Sequence, residues 1–184
     1  MVGVATGFAV GLLLSQNRRL ARILNPYVIA LNSVPRIALV PLITMIFGLG
    51  VGSKVVMAWF MVFFLVFFNT FKGGLSMERE LVDFCRTLGG TPRQITRTVR
   101  VPNALAWAFT ALPNAVSFAL IGVVISEFVG STTGMGYLMI TSLATLNSTD
   151  MFASVVVLSA VGVALVTLIR RAERRLLRWA PEFR

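Results

Sequence analysis

The 184-residue chain has no histidine and a single cysteine, Cys85. Those two shortages exclude His/Cys metal centres, a disulfide framework and any catalytic triad built on histidine. Charge is scarce as well. Asp, Glu, Lys and Arg make up 13% of the chain, about half of the roughly 25% usual in soluble domains. A nucleotide-binding loop is also missing. The nearest approach is "GLGVGSK" at 48–54, but Ser53 precedes Lys54 and Val55 follows it. A phosphate-binding loop needs glycine before that lysine and Ser or Thr after it. The stretch reads as a tight turn, and no nucleotide site is visible in the chain.

What is present is mostly apolar: 57% hydrophobic residues, with 14 Phe and 8 Met. Such a composition belongs in a bilayer. Residues 27–49, 52–74, 104–129 and 150–169 are each long enough to cross one, the first interrupted by Pro35 and Pro41 and the third by Pro113. Residues 1–15 are apolar from the first position, and Arg18, Arg19 and Arg22 follow them rather than precede them. A secretory signal has the opposite order. At ~1.5 Å per residue they reach only about 22 Å, against a hydrocarbon core of ~30 Å. The expectation is an all-α membrane protein with four full transmembrane helices and one partial N-terminal helix.

The net charge of +10 would suit nucleic acid if it were spread over a soluble surface. Instead, fifteen of the 17 basic residues fall in three blocks, at 18–22, 72–100 and 170–184. If the spans alternate, all three lie on one side, and the positive-inside rule makes that side cytoplasmic. No nucleic-acid partner is implied. The opposite loops hold only Lys54.

Two periodicities describe helix packing. Gly3, Gly7 and Gly11 recur at every fourth position, a small-residue stripe that lets helices approach closely. Phe60, Phe63, Phe64, Phe67, Phe68 and Phe71 share one helical face, which indicates a lipid-facing or packed aromatic stripe and not a ligand box. Glu127 is the one acid inside an apolar run, near its outer end. Such an acid is either structural or part of a gate or pathway, and the glycines after it, Gly134 and Gly136, suit a short re-entrant segment.

The most patterned stretch is "DFCRTLGGTPRQITRTVRVP" at 83–102. Leu81, Phe84, Cys85 and Leu88 fall at i, i+3, i+4 and i+7, which predicts an amphipathic helix over 78–88. Gly89-Gly90 can end it, because glycine readily takes the left-handed geometry of a helix C-cap. Thr91-Pro92 then reads as an N-cap with proline at the first helical position. The second helix places Arg93, Arg97 and Arg100 on one face, and Pro102 marks its bend into the next span. Two short helices would form a knob fitted to a groove on a partner. On periodicity alone, a basic loop that merely sets topology remains the alternative.

This block resembles the cytoplasmic EAA loop of ABC importer permeases, E-A-A-x-x-x-G followed at a fixed distance by I-x-L-P. Aligned on Gly89, the chain reads Asp83-Phe84-Cys85, Gly89, then Val99-x-Val101-Pro102. Asp replaces Glu, Phe and Cys replace the alanines, and Val replaces Ile and Leu, while the glycine and proline match. "LNSVPRIALVPLITMIFGLGVGSK", "ELVDFCRTLGGTP" and "GSTTGMGYLM" look like the corresponding stretches of the nitrate/sulfonate/taurine-type permeases.

The resemblance implies the type I ABC importer permease fold, as one transmembrane domain over 1–184 that lacks the family's first helix. It implies a homodimer of permeases in a bacterial or archaeal plasma membrane, cytoplasmic ATPase subunits and an extracytoplasmic solute-binding protein. In this reading the chain has no ATP site and needs no cofactor or metal. Loops 16–26 and 75–103 and the C-terminus are cytoplasmic, and loop 76–103 carries the coupling to the ATPase. Gly89 and Gly90 set its angle, and Arg93, Arg97 and Arg100 meet acidic partner surface or lipid phosphate. The cargo would be a small solute, such as the anions nitrate, a sulfonate or taurine. An inactive truncated permease and an ATP-independent carrier are the competing readings. The second is disfavoured because carriers usually place ionisable groups inside their spans.

Overall fold

The computed structural model describes residues 1–16, 18–76 and 79–176, and in these every regular element is a helix. In chain order they are α1 (Val2–Gln16), α2 (Arg18–Ser33), a 3-10 turn (Arg36–Leu39), α3 (Val40–Phe47) and α4 (Val51–Leu75). There follow α5 (Arg79–Thr87), α6 (Pro92–Ile95), a π-turn (Thr96–Arg100), α7 (Val101–Thr110), α8 (Leu112–Gly130), α9 (Met135–Ala144) and α10 (Ser148–Leu176). Among the described residues, three helices are long and apolar enough to cross a bilayer: Val51–Leu75, Leu112–Gly130 and Ser148–Glu173. Residues 19–47 add a fourth crossing only if the two halves flanking a break are counted together.

That break falls inside 27–49, the stretch expected as a span interrupted by Pro35 and Pro41. Proline cannot donate to a helix and disfavours helical geometry in the residue before it. Accordingly α2 stops at Ser33, and Pro35 stands at ψ 90° ahead of the 3-10 turn. The stretch 104–129 is likewise divided, at Ala111, because Pro113 lacks the N–H that a continuous helix would direct at Phe109. The partial helix over 1–15 is present as α1.

The chain forms two compact units. One comprises Met1–Val34, Phe63–Leu112 and the stretch from Glu173, and the other comprises Pro35–Val62 and Pro113–Ala172. Helix α4 supplies its first half to the latter and its second half to the former.

In the first unit the glycine stripe does what its spacing predicts. Gly3, Gly7, Gly11 and Ser15 are all buried. A Cβ on Gly7 would lie 2.6 Å from the Phe63 carbonyl oxygen, and one on Gly11 would lie 2.8 Å from that of Phe67. At these positions α1 and α4 touch backbone to backbone, which only small residues permit. The aromatic stripe packs beside this contact. Phe67, Phe68 and Phe71 are buried with Ala21 and Val28, and Phe63 stacks on Phe67 at 5.9 Å and 2°.

The core of the second unit is smaller: Val40, Ile43, Met57 and Met61, with Leu39, Val56 and Ile125 against it. Gly122 admits α8 to this core, since a Cβ there would stand 3.0 Å from the Met61 side chain.

Candidate functional site

The stretch predicted to be a knob folds from short-range instructions. Helix α5 ends in a Schellman motif: the Gly90 N–H donates to the Cys85 carbonyl at 3.0 Å and the Gly89 N–H to that of Arg86 at 2.9 Å. Gly89 sits at φ +80°, in the left-handed region where a Cβ is penalised. Two residues on, Thr91 opens α6 with a capping box. The Thr91 N–H donates to Gln94 Oε1 at 2.8 Å, and the Gln94 N–H donates to Thr91 Oγ1 at 3.4 Å. The helix end, turn and helix start are thus closed by bonds between residues no more than five apart.

On the apolar face of α5 two large side chains stay uncovered. Phe84 is 61% and Leu88 72% exposed, with Cys85 partly buried behind them. Leu81 belongs to α5, but its side chain lies outside the described set, as does residue 78 of the predicted helix. Asp83 pairs with Arg86 at 3.2 Å, both side chains 65% exposed, a surface pair of small energetic weight. Arg93 and Arg97 are exposed, and Gly90, Val99, Val101 and Pro102 are half-buried. The anchor of the knob is Ile95, which is 5% exposed. Sequence periodicity does not single it out, because it stands alone among polar neighbours.

Two details depart from the sequence reading. The second short helix does not stop at Pro102, since helical backbone continues from Pro92 through a π-turn into α7. The turn is closed by the Val101 N–H donating to the Thr96 carbonyl. Such a wide turn accommodates a proline in the following residues, where the regular ladder would lack a donor. The same turn breaks the helical spacing that aligned Arg100 with Arg93 and Arg97. Arg100 Nη1 instead donates to the Gln16 carbonyl at 2.7 Å, the last carbonyl of α1.

A second polar centre lies in the other unit, around Glu127. Its side chain is 9% exposed and its Oε1 accepts from Lys54 Nζ at 3.0 Å. Oε2 accepts the Gly136 N–H at 2.7 Å. Lys54 Nζ also donates to the Thr133 carbonyl at 2.9 Å. The two glycines that follow Glu127 in the sequence, Gly134 and Gly136, are packed on it. A Cβ on Gly134, itself at φ +122°, would overlap the Glu127 carboxylate, and one on Gly136 would lie 2.6 Å from the Val124 carbonyl oxygen. The centre therefore ties α8, the start of α9 and the first turn of α4 together. Lys54 is the partner that sequence reasoning missed. The lysine at the start of α4 and the one acid in an apolar run were each visible, and their opposite charge was the one hint that they meet. A separate groove of about 440 Å³ lies between α9 and α10. Thr141, Thr145, Asp150 and Ser154 line it, and no residue of the Glu127 centre does.

An all-helical membrane subunit with no nucleotide-binding loop and a capped polar knob defines a class, and comparison with known proteins defines the family. Residues 3–179 match the family of binding-protein-dependent transport system inner membrane components. The chain belongs to that family. It is 32% identical over 182 residues to the formylaminopyrimidine transport permease protein of Halalkalibacterium halodurans, covering 97% of this chain and 73% of that protein. A probable ABC transporter permease protein of Haemophilus influenzae is 33% identical over 165 residues, 90% of this chain and 67% of its own length. A putative aliphatic sulfonates transport permease protein of Bacillus subtilis is 28% identical over 183 residues, 100% of this chain and 66% of its own. The chain is thus a multi-pass ABC transporter permease subunit, and hydrolysis of ATP belongs to a partner subunit.

Proposed function

We propose that this chain forms the membrane pathway of an ATP-driven importer and couples to its ATPase through residues 76–103, which face the cytoplasm with loop 16–26 and the C-terminus. The observation that carries this reading is the exposed pair Phe84 and Leu88, flanked by Asp83, Arg86, Arg93 and Arg97. Apolar side chains framed by charge suit a protein groove better than hydrocarbon. The Gly89–Thr91 turn makes the knob stiff enough to move as one body. ATP acts on such a knob by favouring one conformation of the docked assembly over the other.

In this reading two copies of the permease enclose the pathway as a homodimer and an external binding protein delivers the solute. The cargo is a small solute: an anion such as nitrate, a sulfonate or taurine is supported by the sulfonate relative, and a pyrimidine by the other named relative. Glu127, Gly134 and Gly136 serve as an external gate joint. Support comes from both carboxylate oxygens being engaged, which suits a fixed hinge point better than a proton-exchanging carrier group.

Cys85 makes the orientation testable, because it is the sole cysteine. A membrane-impermeant maleimide should label it in inside-out vesicles lacking the ATPase and leave it unlabelled in right-side-out vesicles. The reverse pattern would sink the topology. For coupling, Gly89→Leu should insert normally yet lose ATP-driven uptake with the importer's ATPase and binding protein, because leucine opposes the left-handed backbone. Gly89→Asn, which tolerates that geometry, should retain most of it. Full uptake by Gly89→Leu would refute the coupling role.

A further inference from the structure

The knob joins α7 through the π-turn, and two side chains at that join reach past it to other helices. Arg100 Nη1 donates at 2.7 Å to the carbonyl of Gln16 in α1. Asn103 Nδ2 donates at 2.7 Å to the Gly73 carbonyl, in the last turn of α4. Close packing also ties α4 to α7 and to α1 here. A Cβ on Gly73 would lie 2.6 Å from Trp107 of α7, and one on Gly74 would overlap Ser15 of α1. The ends of α1 and α4 and the start of α7 thus meet in one joint. A displacement of residues 92–103 either carries the two helix ends with it or breaks both polar bonds.

We propose that Arg100 and Asn103 are positioning residues that divide the knob's movement between two helices, Arg100 driving α1 and Asn103 driving α4. The proposal rests on the docking reading above. Helical main chain runs from the knob through the π-turn to Arg100, its last residue, and to Asn103 in the first turn of α7. From there the two side-chain bonds end on different helices, so each can be removed alone.

The test is hydrogen exchange of the permease–ATPase complex, with and without Mg-ATP, followed in peptides of α1 and of the last turns of α4. The parent complex should show an ATP-dependent change in both helices. Arg100→Ala should keep the ATPase bound and the ATP-free pattern unaltered while the ATP response of α1 falls about fivefold or more, with α4 still responding. Asn103→Ala should give the converse. Arg100→Lys, which retains charge and a donor, should restore about half of the α1 response. A merely structural staple would alter the ATP-free pattern of both helices alike, and that outcome overturns the proposal. A full response in both helices of either alanine variant overturns it too. Failure of the parent chain itself to hold the ATPase would bring down the docking reading, and the proposal with it.

Discussion

The knob at 79–100 and the centre around Glu127 both bridge a break between helices, by opposite means. The knob is closed by bonds between near neighbours, and apart from its buried anchor Ile95 it leaves Phe84 and Leu88 exposed. The Glu127 centre is closed by an ion pair across 73 positions of chain, and its charged groups are nearly covered. A region built the first way folds on its own instructions and keeps its surface for something else. A region built the second way spends its chemistry on holding the fold. Substitutions at Glu127 should therefore show in stability, and substitutions on α5 should show in partner binding.

The largest stability effect is expected from Glu127→Ala. It leaves the Lys54 ammonium without its counter-charge in a covered site and frees the Gly136 N–H, which should cost about 3–5 kcal/mol. Unfolding by SDS titration in mixed micelles measures it. The double variant Lys54→Met/Glu127→Gln removes both charges and keeps an acceptor for Gly136. It should fall within about 1.5 kcal/mol of the parent, since matched replacement of a buried pair is often nearly neutral. If the separate losses of Lys54→Met and Glu127→Gln simply added up to that of the double variant, the two residues would not be energetically coupled.

The same contrast sets what could be read from the sequence. Gly89, Gly90, Thr91 and Pro92 carry their conformational preference in their own covalent structure, so the Schellman motif and capping box are legible without a fold. The stripes Gly3–Gly7–Gly11 and Phe60–Phe71 are legible because helical spacing alone defines a face. Pairing between distant residues is not local. Nothing near Lys54 names Glu127, and nothing near Arg100 or Asn103 names the helix ends of α1 and α4. Ser15 and Gly74, or Gly73 and Trp107, become partners only once α1, α4 and α7 have packed. Prolines fall between these cases. Pro35, Pro102 and Pro113 mark disturbed helix, but whether the result is a break, a π-turn or a tolerated kink depends on which neighbours satisfy the freed carbonyls.

Packing on the Glu127 centre gives the next effect. Gly136→Ala places a methyl group 2.6 Å from the Val124 carbonyl oxygen, against main chain that cannot yield easily. Such overpacking should cost about 1–3 kcal/mol in the same unfolding assay. Gly50→Ala is the matched contrast, because a Cβ there meets nothing within 4 Å. It should stay within about 0.5 kcal/mol of the parent.

On the knob, Thr91→Ala removes the hydroxyl that accepts the Gln94 N–H. An exposed N-cap of this kind contributes about 1 kcal/mol. The loss should appear as faster amide exchange confined to residues 93–95, with Thr91→Ser close to the parent. Exchange that accelerated across α7 and α1 as well would show that the turn is not a local unit.

Phe84→Ala and Leu88→Ala should change the stability of the permease least of all. Side chains already 61% and 72% exposed lose little burial on truncation, so unfolding should shift by no more than about 0.5 kcal/mol. Their effect belongs to the complex. Apolar anchors at the centre of an interface typically cost about 2 kcal/mol or more when truncated, a weakening of roughly 30-fold. Titrating detergent-solubilised permease with its ATPase subunit reads this directly. Weak binding with unchanged stability would place α5 at the interface. Unchanged binding by both variants would remove α5 from it, and the exposed apolar pair would then need a lipid or a second permease copy to cover it.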